Sequence, residues 1–174
     1  MNEPARCGQV GTGRAHPDII TYSGSFPAMV GRRFSFEVRR SSSAAPEKLF
    51  RLETDGELWS SWAGPLVPQS SQARVPCGVG AVRRVGLWPV LLSEQTVVYE
   101  PDRRHVYVLT SAGLPVRDYR AEVLFTPTGS GGTELCWSAS FTERLPGTGA
   151  VTAPALHAAL RYLAARLVTA AERA

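Results

Sequence analysis

The sequence predicts an α+β domain. A curved antiparallel sheet of about seven strands wraps around one long C-terminal helix, with two short helices after the first strand. Three observations predict it. Segments of alternating apolar and polar residues recur from Phe34 to Phe141, the period-2 mark of half-buried strands. The breaks between them are short turn sequences, so neighbouring strands are joined as hairpins and run antiparallel. The last segment carries Leu156, Leu160, Leu163 and Leu167, spaced 4, 3 and 4, a helical stripe able to cover an apolar sheet face.

Residues 1–33 are rich in Gly, Pro, Ser and Arg and show no hydrophobic period, so a flexible N-terminal leader is expected ahead of a domain spanning 34–174. The stretch "GQVGTG" at 8–13 has no strand before it and therefore does not read as a phosphate loop. Phe34, Phe36 and Val38 alternate with Ser35, Glu37 and Arg39 in the first strand. A helix follows, with Ser43 as the expected N-cap, Pro46 in the first turn and Leu49, Phe50 and Leu52 as its buried face. Asp55 is expected to start a second short helix that runs to about Trp62 and ends at Gly64-Pro65. Six more strands are read from "ARV", "GAVRRVGL", "LLSEQTVVYE", "RHVYVLTS", "DYRAEVLFTP" and "TELCWSASFT". Turn chemistry separates them, including Trp88-Pro89, Pro101-Asp102 and "TGSGG" at 128–132. Leu135, Trp137, Ala139 and Phe141 share one face of the last strand; Tyr119, Ala121, Val123 and Phe125 share one face of the strand before it. Thr152 is the expected cap of a final helix beginning near Pro154. That helix carries many alanines, which give either close packing on the sheet or an internal void.

The composition narrows the function. The chain has 174 residues, 44% hydrophobic and 20% charged, enough for one folded domain with a real core. Net charge is +4, nearly all of it from arginine, with Lys48 the only lysine. Arginine pairs such as Arg32-Arg33 and Arg103-Arg104 are scattered, which argues against a nucleic-acid surface. Cys7, Cys77 and Cys136 are odd in number and far apart, so neither a disulfide framework nor a zinc site is expected, and a reducing cytoplasm is the expected home. No signal peptide and no membrane-spanning run is read.

The segments "APEKLFRLETDGELWSSWAGP", "GVGAVRRVG", "SEQTVVYEPDRRHVYVL" and "GLPVRDYRAEVLFTPTGSGGTELCWSASF", with the closing leucine-striped helix, resemble the SRPBCC superfamily over roughly residues 34–172. These are the START-like, polyketide cyclase/dehydrase-type proteins of helix-grip fold. The resemblance implies a deep cavity between sheet and long helix. Members use it for lipids, isoprenoid quinones, hormones or polyketide intermediates; some are cyclases or dehydratases, and many only bind.

Eight residues are candidates for the ligand site. Trp59 and Trp62 share one side of the short helix and either plug the end of the core or line the pocket. Arg83 and Glu94 match positions where the family pattern carries an Arg and a Glu. They form either a surface ion pair contributing roughly 0–1 kcal/mol or a buried polar anchor for a ligand carbonyl or hydroxyl. Tyr107 and Tyr119, like Tyr99, offer hydroxyls on apolar strands, either as a polar contact or as cross-strand packing. Trp137 on the last strand and Leu160 on the helix stripe complete the set. Arg117 and Asp118 sit where an entry gate would lie. His105 and His157 have no third ligand at metal spacing, so no metal is expected, and neither a cofactor nor a catalytic residue is assigned.

The expected function is binding of a small hydrophobic ligand, lipid, isoprenoid or polyketide-like, by a cytoplasmic monomer or homodimer without nucleic acid or an integral membrane segment. One alternative is a polyketide aromatase/cyclase or dehydratase acting in the same cavity. The other is a co-chaperone-like interaction protein, with a filled core and a conspicuous apolar patch.

Overall fold

The computed structural model describes residues 31–74, 77–111 and 113–173. The expected leader lies outside the described residues as far as position 30. Seven strands form one antiparallel sheet: β1 (Arg33–Ser42), β2 (Gln69–Arg74), β3 (Val82–Leu87), β4 (Val90–Glu100), β5 (Arg104–Leu109), β6 (Val116–Pro127) and β7 (Thr133–Glu143). Their spatial order is β1-β7-β6-β5-β4-β3-β2, so β1 and β2 are the two edges, and the chain runs from β2 back across the sheet strand by strand to β7, which pairs with β1. The helices are α1 (Pro46–Thr54), α2 (Trp59–Trp62) and α3 (Gly149–Arg173), with a 3-10 turn at Gly64–Leu66.

Register aligns the inward side chains in rows. Val38 pairs with Trp137, Trp137 with Val123, and Val123 with His105. The next row runs through Phe36, Ala139, Ala121, Tyr107 and Thr96. Pairing shifts in β2, β4 and β6, and such bulges bend and twist a strand. The bent sheet grips α3, whose buried side chains are Leu160, Ala164, Leu167 and Ala171, again at 4-3-4 spacing. Alanines thus supply half of the buried row and bring helix and sheet close. Leu156 and Leu163, expected on the core-facing stripe, are only half-buried.

Four local readings are corrected. Ala45, not Ser43, is the N-cap of α1, and the Ser43 backbone N–H donates to Glu172 Oε1 instead. Asp55 does not start a helix: its carboxylate accepts from the Glu57 N–H in a turn, and α2 begins at Trp59. Strand β2 starts at Gln69, where "QSSQ" offers no apolar alternation to betray it. Finally, α3 begins at Gly149, so Pro154 lies inside it and Thr152 bonds back to the Thr148 carbonyl. The N-terminal N–H groups of α3 are served by Glu143, whose Oε2 accepts from Gly147 and Gly149 while Oε1 accepts from Arg32. These backbone donors, Arg32 first, hold the Glu143 carboxyl below its ordinary value.

Candidate functional site

The end of α1 and the neighbouring strands β3, β4 and β5 place a polar cluster inside the grip. Glu53 sits in the last turn of α1, three and four residues after Phe50 and Leu49, so it shares their buried face. Its burial is complete, and every oxygen is used. Oε1 accepts from Arg83 Nη2 at 3.0 Å, Oε2 accepts from His105 Nδ1 at 2.7 Å, and the backbone carbonyl accepts from Trp59 Nε1 at 2.7 Å and from Arg83 Nη1. Because Oε2 is a carboxylate acceptor, Nδ1 of His105 carries the hydrogen, and Nε2 is left to the Thr96 hydroxyl at 3.0 Å. Trp62 Nε1 donates to the Leu52 carbonyl at 2.9 Å. The two indoles therefore satisfy carbonyls at the C-terminal end of α1, which no further helical turn would reach. That is why two tryptophans stand three apart here.

Arg83 is the hub. It is 3% exposed, pairs with Glu53, and donates from Nε to Glu94 Oε2 at 2.7 Å. Its guanidinium also lies over the Trp59 ring at 4.3 Å and the Tyr107 ring at 4.6 Å from the centroids. The Arg83–Glu94 pair is thus buried and not a surface pair. Burial alone would lower the Arg83 pKa, but the carboxylates of Glu53 and Glu94 outweigh it and raise it. The two carboxylates are pushed apart. For Glu53, burial works upward but is overcome by His105 and Arg83, and the pKa falls below 4.5. For Glu94, burial wins over Arg83 and the pKa rises above 4.5.

Glu94 also faces a cavity of about 200 Å³ between sheet and helix. Tyr107 and Tyr119 share its polar side. Val85 and Leu92 form the apolar wall on the sheet, Trp59 of α2 adds to it, and Leu156, Ala159, Leu160 and Leu163 form the wall on α3. No fully buried side-chain nitrogen or oxygen among the described residues lacks a partner. The Glu94 Oε1, which has none, is therefore open to the cavity. Tyr107 accepts from Trp137 Nε1 at 3.3 Å. Burial, then the Glu94 charge, pushes the hydroxyls of Tyr107 and Tyr119 well above their ordinary pKa, so both remain protonated. The cavity is smaller than the roughly 300–1,000 Å³ that takes drug-sized ligands. A larger hollow of about 430 Å³ lies on the outer sheet face among Ser35, Glu37, Arg120, Glu122, Ser138 and Ser140, but it is open and away from the buried network.

Of the eight sequence candidates, Trp59, Glu94, Tyr107, Tyr119 and Leu160 line this cavity. Arg83 and Trp137 stand directly behind it, on Glu94 and Tyr107. Trp62 packs beside Trp59, with 4.8 Å between ring centroids, and is not among the residues lining the cavity. Sequence reasoning missed Glu53, His105 and Thr96. Both of the first two left a signal: Glu53 falls on the apolar face of α1, and His105 alternates with Tyr107 on an inward strand face. Among the described residues, no three His, Cys, Asp or Glu side chains are grouped to hold a metal ion.

The family model described as polyketide cyclase/dehydrase and lipid transport matches residues 33–172. No curated protein matches the chain. Among solved structures, the protein XoxI from Bacillus cereus superposes with a TM-score of 0.66 at 19% identity, over 78% of this chain and 94% of its own. A point mutant of norcoclaurine synthase from Thalictrum flavum, bound to a transition-state analogue, gives 0.66 at 14%, over 82% and 96%. A protein of unknown function from Staphylococcus aureus gives 0.66 at 12%, over 82% and 96%. At these identities the likeness is one of fold.

Proposed function

Because the chain belongs to the polyketide cyclase/dehydrase and lipid transport family, we propose that its internal cavity binds a small hydrophobic molecule carrying one neutral polar group. The observation that carries this reading is the open Oε1 of Glu94, beside Tyr107 and Tyr119, at the polar end of a void whose other walls are mostly apolar. Affinity would come from apolar burial, at about 25 cal/mol per Å² removed from water. Orientation would come from Glu94 and the tyrosine hydroxyls, which suit a hydroxyl or carbonyl; Arg83 fixes the Glu94 carboxyl in place. At about 200 Å³ the cavity suits one or two fused rings, or one end of a longer lipid, isoprenoid or polyketide-like molecule whose remainder leaves through the mouth. Binding ranks above catalysis because Glu53, Arg83 and His105 spend their hydrogen bonds on one another. The cyclase or dehydratase reading draws on Glu94 alone, whose raised pKa favours the protonated form that a general acid needs.

The test uses 2-naphthol and naphthalene as probes, titrated calorimetrically against the wild type and Glu94→Leu. The wild type is expected to prefer 2-naphthol, and the variant to bind both alike. If neither probe binds, the cavity is not a ligand site. If both bind equally to wild type and variant, the polar end has no role.

A further inference from the structure

The hairpin joining β3 and β4 exposes four large apolar side chains on either side of Pro89: Leu87 at 56%, Trp88 at 74%, Val90 and Leu91. Its base reaches the cavity, since Gly86 and Leu92 line it. Leu66 does both, being exposed and lining the cavity. Apolar surface is therefore continuous from the void to the outside at this end. The loop before β6 lies against the same hairpin: a side-chain carbon on Gly113 would sit 3.2 Å from Leu92 Cδ2 and 3.8 Å from Val90 Cγ1. That loop leads to Arg117, and the Arg144 N–H donates to the Pro115 carbonyl at 3.1 Å. Arg84 projects from β3 on the outer face, opposite Ser93. Arg84, Arg117 and Arg144 are all exposed, and none of them appears among the ion pairs of the described residues. Next to Arg117 at the start of β6, Asp118 is an exposed carboxylate.

We propose that the β3–β4 hairpin docks the protein on an anionic lipid bilayer, with Trp88 and its apolar neighbours entering the interface and Arg84, Arg117 and Arg144 meeting the headgroups. Charge selects this occupant: guanidiniums with no carboxylate partner among the described residues, one of them (Arg117) donating only to the Glu143 carbonyl, beside an apolar tip match an anionic interface. So does size. A stable protein partner needs roughly 600–1,000 Å² from each side, which a four-residue tip does not offer, whereas a lipid interface accepts a protruding tip without shape complementarity. Docked this way, the cavity mouth opens toward acyl chains, so a hydrophobic guest passes between membrane and protein without crossing water.

Trp88 supplies its own readout. The chain has four tryptophans, and Trp59, Trp62 and Trp137 are each no more than 2% exposed, so acrylamide quenching reports Trp88. The full chain is mixed with vesicles of phosphatidylcholine containing phosphatidylglycerol, or of phosphatidylcholine alone, and floated on a density gradient. Expected is flotation with the anionic vesicles only, a blue shift, and loss of most of the quenching. Arg84→Ser and Arg144→Ser should each lower partitioning roughly fivefold, the effect of one basic residue at an anionic surface. The double variant Leu87→Ser/Trp88→Ser should not float, while its melting temperature stays unchanged. Equal flotation with neutral and anionic vesicles, or no flotation, overturns the proposal. So does Trp88 already shielded from acrylamide without lipid, which would mean that another part of the chain covers it. Shielding that grows with protein concentration would make the occupant a second copy, and capture of an acidic carrier protein with no vesicle binding would make it a protein. None of these results bears on the naphthol titration, so the two readings fail separately.

Discussion

Replacing Glu53 and Glu94 one at a time with glutamine should have very unequal consequences for stability, although both carboxylates touch the same arginine. Glu53 is fully buried and holds Arg83 and His105 together through two oxygens. Glu53→Gln removes the charge from that bridge and puts an amide NH₂ against one of two donors, either Arg83 Nη2 or His105 Nδ1–H. Breaking a buried pair in this way costs about 3–5 kcal/mol. For a chain of this length each kcal/mol moves the melting temperature by about 2–4 °C, so the variant should melt roughly 6–20 °C lower. Glu94→Gln keeps an oxygen to accept from Arg83 Nε and leaves Glu53 as the counter-charge. Burial already raises the Glu94 pKa, so ionising it works against the fold, and the loss should stay below about 1 kcal/mol. Thermal unfolding followed by circular dichroism at neutral pH measures both. The two carboxylates also pull in opposite directions with pH. The lowered pKa of Glu53 gives stability that is full above 4.5 and is lost as pH falls through its folded value. The raised pKa of Glu94 gives stability that is full below 4.5 and is lost as pH rises through its folded value. Glu94→Gln should therefore gain on the wild type as pH is raised from 4.5 toward neutrality. A Glu53→Gln variant melting within about 2 °C of the wild type would refute the reasoning, because ~1 kcal/mol or less would then separate the bridge from its neutral copy.

Two smaller changes probe packing. Ala159→Phe fills the cavity from its α3 wall and should abolish naphthol binding while melting at or above the wild-type temperature; retained binding would show that the probe sits elsewhere. Gly149→Ala, at the first position of α3, gains less than the about 1 kcal/mol of helix propensity it would gain in a helix interior, and the added carbon would meet the Phe34 ring and push it off Phe141, with which it stacks at 5.4 Å. Overpacking of this kind costs about 1–3 kcal/mol, so the melting temperature should fall, and a rise would mean that Phe34 swings aside freely.

What the sequence disclosed depended on periodicity. β1, β6 and β7 alternate cleanly, with burial following every second residue from Thr133 to Glu143, and they were readable to within a few residues. β2 was placed four residues late because "QSSQAR" has no apolar face to alternate. The start of α3 was missed for a different reason: the helix-start signal comes from Glu143, outside the helix and six residues before Gly149. The alanines of α3 show where sequence stops. Ala164 and Ala171 are seven residues apart, share a face and pack tightly on the sheet, while Ala159 lines the void. Ala159 sits about 140° around the helix from Ala164 at 100° per residue, so the same side chain closes the gap in one direction and leaves it open in another. Which direction is which depends on where the bent sheet turns away, and no residue of the helix encodes that.

The buried network itself argues that the cavity is more than a packing fault. Paired charges at this depth are expensive to desolvate, and well-packed apolar residues of similar volume commonly do as well or better for stability. Glu53, Arg83 and His105 form a set in which each member satisfies the next, which accounts for their coexistence once any one is present. Glu94 falls outside that logic. Arg83 already has Glu53 as its counter-charge, and burial raises the Glu94 pKa, so folding gains little from the second carboxyl. Glu94 gives one oxygen to Arg83 Nε and turns the other toward a void lined by two tyrosine rings and leucines. A group that contributes little to the fold, is fixed in direction by an arginine clamped between Trp59 and Tyr107, and keeps an unused acceptor or donor at a cavity wall has the properties of a ligand contact.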